Sequence, residues 1–93
     1  MRLTRKRDGK ELYGGDVKWI EWTGEGKFKE LHEEPAIGRS CILDPNRGPY
    51  FTWMTTAVTD FEISEDGSVT FTTKNSEYLL EKISPDQYEN IAT

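Results

Sequence analysis

Histidine and cysteine occur once each in these 93 residues. A single cysteine excludes an internal disulfide framework. Cys41 sits in Gly38-Arg39-Ser40-Cys41-Ile42-Leu43, an apolar run, and reads as a small buried hydrophobe. His32 and Cys41 together cannot fill the three or four nitrogen and sulfur positions of a zinc site without carboxylates. In Glu30-Leu31-His32-Glu33-Glu34 the second histidine of a zincin helix is missing, so His32 reads as a surface residue in a charged loop. A thiolate–imidazole pair would need Cys41 and His32, nine positions apart, to be joined by the fold. No Gly-Lys-Ser/Thr follows Gly14-Gly15 or Gly24-x-Gly26, so neither is a phosphate loop. Asp44-x-Asn46-x-Gly48 has the alternation of a calcium loop, but Pro45 and Arg47 interrupt it and no glutamate closes it, so it reads as a turn. No catalytic set, metal site or cofactor site is expected.

Long apolar runs are also missing. Nothing approaches the ~18 apolar residues of a membrane-spanning helix. Behind Met1-Arg2-Leu3-Thr4-Arg5 there is no apolar segment of the kind a signal peptide requires, and a reducing cytoplasm is the expected compartment. The length suits one domain over residues 1–93, burying about 60–65 % of its unfolded surface.

Positive charge is scarce outside one end. The net charge is −5. Arg2, Arg5, Lys6, Arg7 and Lys10 crowd the first ten residues against Asp8 alone. The acidic remainder repels a phosphate backbone, which disfavours general nucleic-acid binding, while the basic arm still permits a local contact.

What the chain does have is aromatic residues and turns. Asp8-Gly9 and Glu65-Asp66-Gly67-Ser68 are hairpin turns, the first within a hairpin over Leu3–Tyr13. Val17–Trp22 carries apolar residues at both parities and suits a buried strand, although a short helix capped by Asp16 would group Trp19 with Trp22. Lys27–Leu31 reads as a short strand or irregular segment, and Gly38–Leu43 as a strand. Tyr50–Thr59, continued by Phe61 and Ile63, is the longest strand pattern. Phe51 and Trp53 share one parity with Phe61 and Ile63, and Met54 and Val58 the other, which suits a long strand bent by a bulge near Thr59-Asp60. Val69–Thr73 and Glu77–Ile83 complete a meander. Ser84-Pro85-Asp86-Gln87 has the chemistry of a helix start. The expected fold is mainly β: a small antiparallel barrel or rolled sheet with a short C-terminal helix.

Eleven aromatic residues exceed what a core of this size buries. Trp22, Tyr50, Trp53 and Trp19 are the candidates for a binding surface, and Arg2, Arg5, Lys6, Arg7 and Lys10 for a basic patch. The bland alternative is that the rings fill a barrel and its rim. Thr55-Thr56-Ala57-Val58-Thr59 and Thr70-Phe71-Thr72-Thr73-Lys74-Asn75-Ser76-Glu77-Tyr78 resemble segments of small uncharacterised proteins from bacteria and their phages. That resemblance covers the C-terminal half. It implies a small β fold in a phage or mobile-element setting, and it transfers no activity and no functional residue. The sequence therefore favours a non-enzymatic protein-interaction module, with a barrel that binds a small ligand or single-stranded nucleic acid as the alternative. A homodimer formed about a two-fold axis fits the same composition.

Overall fold

The computed structural model describes residues 1–82. Eight strands follow one another: β1 (Arg2–Arg5), β2 (Lys10–Tyr13), β3 (Val17–Trp22), β4 (Phe28–His32), β5 (Ser40–Leu43), β6 (Trp53–Ile63), β7 (Val69–Thr73) and β8 (Glu77–Glu81). All neighbouring pairs are antiparallel, in the order β2-β1-β8-β7-β6-β5-β3-β4. The sheet curls into a half-barrel whose edges, β2 and β4, do not pair with each other. Among the described residues it is thus a rolled sheet and not a closed barrel. The C-terminal helix expected from Ser84 lies outside the described residues. Among the described residues no helix is long and apolar enough to cross a membrane.

Turn chemistry sets the hairpins. Gly9 (φ 72°) and Gly67 (φ 87°) take the left-handed backbone that an L side chain resists. Asp66 then accepts the Ser68 backbone N–H at 2.9 Å. Val17–Trp22 is a strand, which settles the helix alternative: its β-branched and aromatic residues pair with β4 on one side and β5 on the other.

The long strand solves its two-sided pattern with two bulges. Between β5 and β6 the register runs from Ser40↔Ala57 to Ile42↔Met54, so β6 carries one extra residue. The Cys41 N–H there bonds to the Thr55 hydroxyl at 3.0 Å. A second extra residue lies between Val58↔Thr73 and Asp60↔Thr72. Each bulge reverses the facing of the residues beyond it. Trp53, Val58 and Phe61, of mixed parity in sequence, therefore all reach the core, while Met54 is exposed. That corrects the grouping of Met54 with Val58, because parity does not survive the first bulge. The bulge expected at Thr59-Asp60 is present.

Tyr50 does not begin that strand. Residues Pro45–Tyr50 form a 3-10 turn, kinked at Gly48 (φ 62°, ψ −128°), and Pro49 has no N–H to give a sheet. His32 also departs from expectation: it closes strand β4 and is not in a loop.

Leu3, Trp19, Cys41, Leu43, Val58, Phe71, Tyr78 and Leu80 are among the buried core. Trp19 meets Phe71 edge-on at 5.1 Å between centroids, and Phe71 stacks on Tyr78 at 5.2 Å. At one end, the N-terminal ammonium bonds the Gly14 carbonyl at 2.8 Å. Asp44, whose φ of 59° is the one positive value among described non-glycine residues, accepts from the Gly15 and Asp16 backbone and from the Thr52 hydroxyl. The segment with the calcium-loop alternation is therefore a structural clasp between the β2–β3 connection and the end of β5.

Candidate functional site

The four candidate aromatic residues do not converge. Trp19 is 1 % exposed and belongs to the core, so it presents no surface. Trp22 is half-buried and donates its indole N–H to Ser40 Oγ at 2.9 Å, at the start of β5. Tyr50 is 77 % exposed and lies beyond the other end of β5. Trp53 pairs with Leu43 at that same end.

Trp53 meets the basic patch instead. The roll carries the β1–β2 hairpin back to the start of β6. Arg5 lies over the Trp53 ring at 5.5 Å from its centroid and Lys10 at 5.3 Å. Composition singles out both sets separately; only the curl of the sheet joins them.

Most of the basic patch is already neutralised. Arg2 pairs with Glu81 at 2.9 Å, and Lys6 with Glu77 at 3.0 Å. Arg5 grips Asp8 through two nitrogens, at 3.0 and 2.6 Å. The hydrogen bond to Arg5 is the main cause holding the Asp8 carboxyl well below the usual carboxylate range, with the Lys10 backbone N–H assisting. Arg7 and Lys10 have no ion pair among the described residues.

A cleft of about 390 Å³ opens beside this cluster, lined in part by Arg5, Arg7, Trp53, Thr55, Lys74 and Ser76. Lys74 was not among the sequence candidates, and it too has no ion pair among the described residues. Its signal in sequence was only a turn. Trp53 lines the cleft, and its Nε1–H is buried with no hydrogen-bond partner among the described residues. The arrangement can hold an anion: Arg7 and Lys74, beside the Asp8-paired Arg5, join a set of hydroxyls around a space whose described lining holds no carboxylate.

Two other places carry chemistry-bearing groups. Glu21, Glu30 and His32 stand together on the β3–β4 ribbon, with ligand atoms within 4.8 Å of one another. Cys41 is fully buried, and burial pushes its thiol up to about 12, so the nucleophilic thiolate is suppressed. A second opening of about 390 Å³ has apolar walls at Val17, Trp19, Val69 and Leu80. Lys82, the last described residue, stands on its rim.

No family model, curated protein or solved structure matches the chain.

Proposed function

We propose that the protein is a non-enzymatic interaction module that holds an acidic segment of a protein partner in the Trp53 cleft. One observation carries this reading: Trp53 lies under Arg5 and Lys10 and shares a cleft with Arg7 and Lys74, and among the described residues no side-chain ion pair within 4.0 Å engages Lys10, Arg7 or Lys74. A partly buried ring flanked by cations combines apolar contact with charge attraction, the pairing common at interface anchors. The phage or mobile-element setting belongs to the same proposal.

A second reading, single-stranded nucleic acid, is favoured by the same juxtaposition of ring and cations. Two things weigh against it. Cations already occupy the space over the ring where a base would stack. The net charge of −5 repels a long phosphate backbone more than a short acidic segment confined to the cleft.

The test is fluorescence anisotropy with a labelled glutamate-rich peptide and a labelled oligothymidylate, with and without added salt. The proposal expects the peptide to bind in a salt-sensitive way, and binding to weaken in Arg7→Ala, Lys10→Ala and Lys74→Ala. Preferential binding of the oligonucleotide moves the assignment to the second reading. Failure of both probes removes the cleft as an anion site.

A further inference from the structure

We propose a divalent transition-metal site, zinc being the best fit, formed by Glu21, Glu30 and His32 on the outermost ribbon of the sheet. It is independent of the Trp53 cleft.

The register assembles the donors. Glu21 of β3 lies directly opposite Glu30 of β4, and His32 stands two residues further along β4 on the same face. The register shift falls after Glu21, so the pairing that aligns the three is intact up to that point. His32 Nε2 lies 2.6 Å from Glu21 Oε1 and 3.7 Å from Glu30 Oε1. Tetrahedral zinc with bonds of about 2.0–2.1 Å sets its ligands ~3.3 Å apart. A small opening of the Glu21–His32 contact would make room for it. Three protein donors leave a fourth position for water, as in open zinc sites. Imidazole with carboxylates suits zinc better than calcium or magnesium, which prefer oxygen alone.

Charge argues for an occupant. Like charges directly opposite on a strand pair are destabilising. Lys29 reaches Glu21 Oε2 at 3.1 Å, leaving Oε1 turned toward His32 and Glu30. Glu30 has no lysine or arginine ion pair among the described residues; the ring nitrogen of His32 at 3.7 Å is the basic group that faces it. His32 Nε2 is hydrogen-bonded to Glu21 at 2.6 Å, while Glu30 at 3.7 Å lies beyond hydrogen-bond distance. A metal ion bound to all three draws the second carboxylate into the same site.

The chain's single histidine makes the test clean. Tag-free protein is titrated with Zn²⁺ by calorimetry, while NMR follows the one imidazole. Binding of one Zn²⁺, a shifted His32 Nε2 resonance and a raised Tm are expected. His32→Ala and Glu30→Gln should each weaken binding by about tenfold or more. Asp60→Asn, on another strand, should not. Amide spectra of both variants establish that they remain folded. Absence of saturable Zn²⁺ binding, or equal binding by wild type and both variants, overturns the site.

Discussion

Asp44 Oδ1 lies 2.8 Å from the Gly15 backbone nitrogen, tying together positions 29 apart in sequence. The same carboxylate serves Asp16 and Thr52. It is 8 % exposed, and removing it takes one acceptor from three part-buried donors at once. Asp44→Ala should cost about 2–4 kcal/mol, read as a lower urea midpoint at unchanged slope. A loss within the scatter of a surface substitution would mean the clasp is decorative. Gly14→Ala should also destabilise, because its Cβ would lie 3.0 Å from Asp44 Oδ2 and 3.2 Å from Leu43 Cβ.

The clasp also predicts a pH dependence. Burial opposes ionisation of Asp44, but the bonds from Thr52, Gly15 and Asp16 and the charge of Arg47 outweigh it, leaving its pKa below the ordinary value. A carboxyl depressed in the folded state contributes fully above its unfolded pKa of ~3.9. That contribution is lost as pH falls through the lower folded value. Glu21 behaves likewise, held down first by His32 and then by Lys29. Urea midpoints of wild type and Asp44→Asn should therefore differ most near neutrality and converge in acid. A constant gap across that range would remove Asp44 from the acid transition.

How much of this was written in the sequence varies with the physical signal. Asp8-Gly9 and Asp66-Gly67 announced their hairpins because positive φ is a local property of one residue. The strand pattern from Trp53 to Ile63 was plain, and so was its second bulge. The first bulge was hidden, since Thr55 and Thr56 look like ordinary strand residues and the extra residue shows only in the pairing with β5. The segment after Asp44 reads correctly as a turn, but the clasp that Asp44 makes to Gly15, Asp16 and Thr52 is long-range and has no local signature. The candidate site was half legible. Trp53 and the basic hairpin each stood out by composition, yet Trp19 vanished into the core and Lys74 was unnoticed. Long-range proximity created by sheet curl leaves no local trace.

Cys41 should be silent toward thiol reagents in the native protein. It is fully buried, and its pKa is pushed up to about 12 by burial. Ellman's reagent should react only as fast as the chain unfolds, and at once in concentrated urea. Rapid modification of folded protein would show that the roll opens readily around β5.

Two tryptophans isolate the value of one hydrogen bond. Trp22 gives its indole N–H to Ser40 Oγ at 2.9 Å, and Ser40 is almost wholly buried. The Trp53 N–H is buried without a partner among the described residues. Replacement by phenylalanine removes the same atoms at both positions. Trp22→Phe also breaks a bond and leaves a buried hydroxyl unmatched, whereas Trp53→Phe relieves an unsatisfied donor. The transfer and cavity terms are of one kind, so their difference reports mainly on the polar groups. Trp22→Phe should be the more destabilising of the pair by about 1–3 kcal/mol. The reverse order in urea unfolding would mean that the ring contacts of Trp53 with Arg5 and Lys10 outweigh its stranded N–H, making those cation–ring contacts the stronger anchor of the hairpin.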